Sequence, residues 1–122
     1  MKPNMEDVTR YADMFAALGT ESRLRILQLL LSAHPEGLVV GEIMAELDIS
    51  ASTLSHHLEK LKNEGLVAVN REGTFLRYTA NTKAIEELLG FIYNDCCSRS
   101  GALAQDRIFK IGETDGKPSG CC

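Results

Sequence analysis

The sequence predicts a mainly α-helical domain with one β-hairpin, folded as a winged helix-turn-helix. Three neighbouring features predict it: a serine-capped helix that begins at Ala51, a shorter helix joined to it by three residues, and two β-prone runs that follow it. Two short helices joined by so tight a turn form a helix-turn-helix, and a hairpin directly after the second helix forms its wing. Because the helix pair alone is also found in helical hairpins with no DNA role, the hairpin strengthens the prediction.

The helix that begins at Ala51 is predicted by its two ends and its apolar stripe. Ser50 has a short side chain that can accept a hydrogen bond from a free backbone N–H, which makes it a good N-cap. Gly65 ends the helix, because glycine reaches the left-handed conformation without a Cβ penalty. Helical spacing places one stripe of residues inward: Leu54, His57, Leu58 and Leu61.

The opposite face of this helix is suited to contact with DNA. It is small and rich in hydroxyl groups near its start, and it carries Ala51, Ser52, Ser55, His56, Glu59 and Lys62. Such a surface can approach a major groove closely and still offer hydrogen-bond donors and acceptors. Successive helical residues face different ways, so His56 and His57 are not expected to share one metal centre. We expect His56 to face DNA and His57 to be semi-buried on the core side.

The elements on either side of this helix complete the motif. The shorter helix is predicted over Val40–Leu47, and Asp48-Ile49-Ser50 connects it to the next. The β-prone runs are residues 66–71 and 74–79, and Glu72-Gly73 is a tight-turn signal between them. Arginines near the two ends of this hairpin are placed where they can reach phosphate: Arg71 and Arg77.

Three further helices are predicted around the motif. The first covers Val8–Leu18, with Met14, Phe15 and Leu18 on its apolar face. Thr20 or Ser22 caps the second, which runs to about Ser32. Its predicted core stripe, with Ile26 to the side, consists of Leu24, Leu27, Leu30 and Leu31.

The last helix is predicted to begin after the cap residue Asn81 and to run from Thr82 to about Cys97. It has a broad apolar face made of Ile85, Leu88, Leu89, Ile92 and Tyr93. A terminal helix with so much apolar surface needs a partner to cover it. Packing wholly within its own chain is the alternative to a second copy.

Length and composition predict one ordinary globular domain. The chain has 122 residues, of which 44% are hydrophobic and 25% are charged. No apolar run reaches the ~18 residues of a membrane span and no signal pattern is present, so we expect a cytoplasmic location and no membrane partner. No catalytic constellation is visible, which argues against an enzyme.

The charge distribution favours the predicted wing region as a DNA-binding segment. The net charge of −4 argues against a nonspecific coat for nucleic acid. Residues 50–79 are nevertheless slightly basic, with three acidic residues and four basic ones: Lys60, Lys62, Arg71 and Arg77. Two copies of the chain double the number of basic residues that can contact phosphate, so DNA binding should depend strongly on salt concentration.

Three sequence segments follow one another between about residues 8 and 80: A-D-M-F-A-A-L-G-T-E-S-R-L-R-I-L-Q-L-L, S-T-L-S-H-H-L-E-K-L-K-N-E-G-L-V and R-E-G-T-F-L-R-Y. In order and spacing they resemble the ArsR/SmtB family of small arsenic- and zinc-responsive repressors. The resemblance implies a homodimer whose first and last helices pair across a two-fold axis. It also implies binding to an inverted repeat in double-stranded operator DNA.

Four cysteines form two adjacent pairs, Cys96-Cys97 and Cys121-Cys122. Thiolates suit soft ions, and structural disulfides are the weaker interpretation because no oxidising compartment is indicated. Adjacent cysteines on a regular helix point about 100° apart, which suits one centre poorly, but a frayed helix end can adjust. The tail pair can supply a third ligand. Filler in a core or interface, and an incidental tail feature, remain alternatives.

The resemblance narrows the possible sensor sites. Val39 and Gly41 stand where family members with a cysteine sensor before the DNA-binding helix have their cysteines, and the last helix has no histidine for a zinc site. What remains is similar to members with a trivalent arsenic site at the end of the last helix. The resemblance thus implies arsenite or methylarsenite as inducer, with these ligands: Cys96, Cys97, Cys121 and Cys122.

Together these observations predict a DNA-binding and dimerisation domain over residues 1–97 and a flexible tail over residues 98–122 that carries a cysteine pair. The predicted function is a transcriptional repressor that trivalent arsenic releases from its operator. The predicted DNA-binding residues are Ser50, Ser52, Thr53, Ser55, His56, Lys60, Lys62, Arg71 and Arg77. A thiol-redox or other soft-metal sensor, and a protein–protein module with no operator, stay open as alternatives.

Overall fold

Five helices and one small antiparallel sheet make up the part of the chain that the structure describes. The computed structural model describes the backbone of residues 5–99 and the side chains of residues 5–93. The elements are α1 Met5–Leu18, α2 Glu21–Ser32, β1 Leu38–Val39, α3 Val40–Leu47, α4 Ala51–Asn63, β2 Val67–Glu72, β3 Phe75–Ala80 and α5 Thr82–Arg99. The winged helix-turn-helix prediction is confirmed: α3 and α4 form the helix pair, and β2 and β3 form the wing.

Side-chain caps explain where three of the helices begin. Thr20, and not Ser22, caps α2, since its hydroxyl oxygen accepts a hydrogen bond from the Arg23 N–H at 3.3 Å. Ser50 Oγ accepts from the Thr53 N–H at 3.4 Å, as predicted for α4. Asn81 Oδ1 accepts from the Ala84 N–H at 3.2 Å at the start of α5. Each cap binds one of the N–H groups that a helix leaves unpaired at its N-terminus.

The core lies between α2, α4 and the sheet, and α1 and the start of α5 close it. The buried apolar residues are Met14, Ala17, Ile26, Leu27, Leu30, Ile43, Leu54, Leu58, Leu61, Leu66, Val67, Ala80, Ala84 and Leu88. The prediction of Leu24 in the core stripe of α2 is wrong, because Leu24 is 47% exposed, and Phe15 on the apolar face of α1 is 40% exposed. Ile26, predicted to lie beside the α2 stripe, is fully buried.

The sheet has a third strand that the sequence did not predict. Its order is β1-β3-β2, and Leu38 pairs with Tyr78 while Val39 pairs with Arg77. The chain enters β1 at Gly37, whose φ of +77° favours glycine. A Cβ on Gly37 would overlap the carbonyl oxygen of Tyr78, so the close approach of the two strands requires glycine there.

The turn of the hairpin lies one residue later in the sequence than predicted. Glu72 pairs with Phe75, so the turn is Gly73-Thr74 and Glu72 belongs to β2. Arg71 therefore pairs with Leu76 near the turn, whereas the next pair joins Asn70 to Arg77. The two arginines lie in adjacent cross-strand pairs and not near the two ends of the hairpin.

The last helix continues to Arg99, two residues beyond its predicted end at Cys97. Its predicted apolar face is divided between two environments: Leu88 is 2% exposed and belongs to the core, while Leu89 is 61% exposed. Over the residues that the structure describes, no helix is long and apolar enough to cross a membrane.

Candidate DNA-binding surface

One exposed row of small and polar side chains runs along α4. Ser52, Ser55, His56 and Glu59 follow the i, i+3, i+4, i+7 spacing of one helix face, and all four are exposed. The opposite side of α4 is anchored in the core by Leu54, Leu58 and Leu61. The helix is thus held by its apolar stripe, and its hydroxyl-rich face is open to solvent.

The start of α4 carries a pair of interacting hydroxyl groups. Ser50 Oγ accepts from the Thr53 N–H at 3.4 Å and donates to Thr53 Oγ1 at 2.9 Å. Both side chains are exposed. The hydroxyl hydrogen of Thr53 is therefore available to an acceptor outside the chain, while Ser50 is occupied by the cap.

Two lysines extend the exposed face of α4 toward its C-terminal end. Lys60 and Lys62 are both exposed, and Lys62 Nζ lies 3.4 Å from Glu59 Oε2 in an i, i+3 ion pair. An exposed pair of this kind contributes only about 0–1 kcal/mol to stability. Both ammonium groups can therefore reach a phosphate at little cost.

The wing arginines have different surroundings. Arg71 is exposed, and within the described residues it makes no ion pair or side-chain hydrogen bond. Arg77 Nε instead lies 3.0 and 2.9 Å from the two carboxylate oxygens of Glu72, and its Nη1 donates to the Gly37 carbonyl at 3.3 Å. Arg71 is free to contact an external anion, whereas the Nε and Nη1 groups of Arg77 already have partners within the chain.

Behind the exposed row, a histidine of α4 and an arginine of α2 are both partly buried. His57 is partly buried and His56 is exposed, as predicted. His57 Nδ1 and Arg23 Nε are both buried without a hydrogen-bond partner. Burial lowers the pKa of His57, and the positive charges of Arg23 and His56 lower it further. The imidazole is thus neutral at neutral pH.

Two of these relationships are not predicted by the sequence. From the sequence, Arg23 is expected to be a solvated surface residue, a phosphate contact or a partner of Glu21 or Asp13. Neither ion pair occurs among the described residues, and Arg23 Nε is buried. Its approach to His57 depends on how α2 crosses α4, which periodicity does not predict. The Arg77 contact with Gly37 depends on the two-residue strand β1, whose one sequence signal is the run Leu38-Val39-Val40 after a glycine.

An exposed apolar surface lies on the first and last helices. It includes Met5 at 79% exposure, Val8 at 41%, Leu89 at 61% and Ile92 at 42%. The two helices are joined by Tyr11 and Phe91, whose rings stack with centroids 4.5 Å apart. Arg10 Nη2 adds an ion pair to Glu87 Oε1 at 3.5 Å.

The predicted cysteine ligands fall outside what the structure describes in atomic detail. Cys121 and Cys122 lie beyond the described residues, and Cys96 and Cys97 are described only as part of the α5 backbone. Among the residues with described side chains, no group of three or more His, Cys, Asp or Glu is placed to hold a metal ion.

The chain is similar to several bacterial and archaeal regulators. Residues 20–69 match the family described as bacterial regulatory protein, arsR family. An uncharacterised HTH-type transcriptional regulator of Methanocaldococcus jannaschii is 35% identical over 88 residues, which are 72% of this chain and 97% of that protein. The arsenic resistance transcriptional regulator ArsR2 of Pseudomonas putida is 29% identical over 113 residues, covering 90% of this chain and 96% of that protein.

One solved structure is similar to this chain in both fold and sequence. The structure of HlyU from Vibrio cholerae matches with a TM-score of 0.60 and 35% identity, over 74% of this chain and 98% of that chain. The relatives with similar sequences are named as transcriptional regulators, a function that agrees with the α3–α4 pair and its wing. This chain is a transcriptional regulator that belongs to the ArsR family of winged helix-turn-helix DNA-binding proteins, and not an enzyme.

Proposed function

We propose that this chain is a homodimeric repressor that binds an inverted repeat through two copies of α4 and is released by trivalent arsenic. The observation that carries the DNA-binding part is the exposed row on α4. Ser52, Ser55 and His56 offer donors and acceptors on a face with no bulky apolar side chain to keep it from a major groove. The hydroxyl groups of Ser50 and Thr53 add polar groups at the start of the helix.

Phosphate contacts are proposed for the cations around this row. Arg71, Lys60 and Lys62 are exposed, and none of them is held in a buried ion pair. Arg77 is proposed to act differently, by holding the wing in place through Glu72 and Gly37. Removal of one phosphate-binding cation should reduce the slope of log affinity against log salt concentration by about 0.9 for each copy of the chain, or about 1.8 for the dimer.

The proposed dimer buries the apolar surface of α1 and α5. Met5, Val8, Leu89 and Ile92 are large apolar side chains on a terminal helix pair, and their exposure in one chain supports a second copy as the cover. A two-fold dimer presents its two α4 helices to half-sites about 34–36 Å apart, one turn of DNA.

The DNA-binding part is tested with a duplex that the wild-type protein selects from random sequence. Ser55→Ala or His56→Ala should weaken binding to that duplex by about 1–3 kcal/mol and relax its base preference. Gln28→Ala, at an exposed position on α2, serves as the control and should bind like the wild type. If both α4 variants keep full affinity and specificity, α4 does not contact the bases.

The inducer proposal rests on the cysteine pairs and on one relative. Soft thiolates suit a thiophilic trivalent arsenic, and Cys96-Cys97 follows the apolar face of α5 that we assign to the dimer. The match to the arsenic resistance regulator covers 90% of the chain, so it continues past Arg99 toward the second pair. By linkage, arsenic must bind the DNA-free form more tightly, and about 1–3 kcal/mol of coupling is usual.

A thiol-redox switch is the second candidate, because the same adjacent cysteines can form disulfides. Gel shifts on the selected duplex, with arsenite, methylarsenite, cadmium or peroxide added in turn, separate the candidates. Arsenic-driven release that dithiols reverse supports the first candidate. Release by peroxide alone supports the second, and release by cadmium alone supports another soft-metal sensor.

A further inference from the structure

The end of the wing carries two exposed apolar side chains. Phe75 is 64% exposed and Leu76 is 36% exposed, and both directly follow the turn Gly73-Thr74. Within the described part of the chain, Phe75 takes part in no aromatic ring contact. These side chains are separate from the apolar surface on α1 and α5.

The hairpin end presents one apolar side chain on each of its faces. Successive strand residues point to opposite faces, so Phe75 and Leu76 lie on different sides of the hairpin. β1 pairs with β3 only at Arg77 and Tyr78, which leaves the hairpin end two-stranded. Residues 70–76 are all exposed, so the domain itself covers neither face.

Each apolar side chain has a guanidinium group on its own face. Leu76 pairs with Arg71, and Phe75 pairs with Glu72, whose carboxylate is bound by Arg77. The Arg77 ion pair offsets the one negative charge at the hairpin end. A partner that fits the hairpin end is therefore a narrow groove. Its two walls are apolar, to contact Phe75 and Leu76, and its edges carry negative charge, to bind the two guanidinium groups.

We infer that the wing end is an apolar wedge for the DNA minor groove, with Phe75 as its leading side chain, an inference that rests on the proposed DNA binding. The minor groove is about 6 Å wide, with sugar walls between two rows of phosphates. Exposed Phe and Leu side chains are among those that enter this groove and partly unstack a base step. The wing follows α4 directly, so it reaches DNA beside the major groove that α4 contacts.

The wedge adds sequence preference at positions that α4 does not touch. Pyrimidine–purine steps, TA and CA/TG, unstack and kink most easily. Phe75 is therefore expected to favour these steps in the flanks of each half-site. Loss of the ring removes this preference and leaves the bases contacted by α4 unchanged.

The test selects duplexes from random sequence with the full-length wild type, Phe75→Ala and Phe75→Leu in parallel. Leu24→Ala, at an exposed apolar position outside the wing, is the control. Phe75→Ala should select the same half-sites without enriched flanking TA or CA steps. Its affinity for the wild-type duplex should fall about 10- to 100-fold, with a smaller decrease for Phe75→Leu. The salt slope should not change, because every phosphate-binding cation is still present.

The outcomes separate this inference from the proposed function. Identical flanks and equal affinities for wild type and Phe75→Ala overturn the wedge and leave the α4 contacts standing. A wild-type protein that selects no duplex overturns both. If Phe75→Ala leaves DNA affinity unchanged but alters sedimentation of the DNA-free protein, the wing end binds a second copy of the chain and the wedge is wrong.

Discussion

Arg77 and Glu72 form a bifurcated hydrogen bond across the wing, in which Arg77 Nε lies 3.0 and 2.9 Å from the two carboxylate oxygens. The same guanidinium donates to the carbonyl of Gly37 at 3.3 Å, so it joins both wing strands to the segment before β1. The side-chain hydrogen bond to Glu72 raises the pKa of Arg77, so the contact favours the charged guanidinium. We propose that this arrangement holds the wing against the segment before β1.

The first prediction concerns this contact and uses Glu72→Gln. If Arg77 holds the wing, removal of the Glu72 charge should weaken DNA binding, although it removes a negative charge near the phosphates. If Arg77 is a phosphate contact that Glu72 sequesters, the same change should strengthen binding and steepen the salt dependence. We expect the weaker binding, measured by fluorescence anisotropy on a selected duplex.

Arg77→Gln and the double variant complete the cycle. Residues that act through one contact show non-additive effects, so the double variant should be no weaker than Arg77→Gln alone. Arg71→Gln is the matched control, because Arg71 is exposed and its replacement in both copies of the dimer should reduce the salt slope by about 1.8, or about 0.9 for each copy. A similar decrease of slope in Arg77→Gln would show that it does contact phosphate.

The second prediction concerns pH and His57. Burial, together with Arg23 and His56, lowers the pKa of folded His57 below its ordinary 6.5, so the unfolded chain binds this proton more readily. His57 therefore contributes no pH dependence well above pH 6.5. As the pH falls below about 6.5, the free energy of unfolding should decrease until the folded-state pKa is passed.

Denaturant unfolding between pH 5 and 8 tests this sign. His57→Gln should show a weaker loss of stability on acidification than the wild type, because the titrating group is gone. His56→Gln, at the exposed neighbouring position, should keep most of the wild-type loss. Parallel curves for His57→Gln and the wild type would exclude His57 as the source.

The elements of the DNA-binding motif are predictable from local chemistry. The sequence predicts Val40–Leu47 with its observed bounds, and α4 begins after its predicted Ser50 cap. Such ends are fixed by hydrogen bonds within a few residues, which the sequence displays directly. Gly65 also has the left-handed φ of +75° predicted for the end of α4.

Features that depend on tertiary contacts are not predictable in this way. The α2 segment L-R-I-L-Q-L-L-L is apolar on several sides, so spacing alone does not decide between Leu24 and Ile26 as the inward residue. β1 has only two residues and exists through its pairing with β3. The contacts of Arg77 and Arg23 follow from these arrangements, so the sequence does not display them either.

The third prediction concerns assembly and uses Leu89→Glu. Leu89 is 61% exposed, so a charge there is compatible with the folded chain but not with a buried apolar interface. We expect a folded monomer with much weaker DNA binding. Leu88→Glu should instead unfold the chain, because Leu88 is 2% exposed within its own core.

Sedimentation velocity at micromolar concentration and circular dichroism measure the two effects. Leu24→Glu, on an exposed apolar position of α2, is the control and should remain dimeric. A wild-type protein that sediments as a folded monomer would reject the proposed interface, and a dimeric Leu89→Glu would place the interface elsewhere.

The last prediction concerns the inducer and the order in which its ligands matter. The α5 backbone is helical through Arg99, so Cys96 and Cys97 are consecutive helical residues about 100° apart around the axis. They can supply two thiolates if the helix end adjusts, and arsenite has a third exchangeable bond. Serine at both positions should abolish release from DNA by arsenite while leaving DNA binding intact.

The tail cysteines are expected to complete the site for arsenite but not for a monomethylated arsenical, which needs only two sulfurs. The entropic cost of bringing Cys121 and Cys122 back to the end of α5 grows only slowly with the number of residues between them, so a ligand from the tail is thermodynamically accessible. Serine at both Cys121 and Cys122 should therefore raise the arsenite concentration for half-release more than that of methylarsenite. Equal responses to the two inducers would exclude the tail as a ligand. An unimpaired arsenite response in the Cys96/Cys97 double variant would overturn the sensor assignment itself.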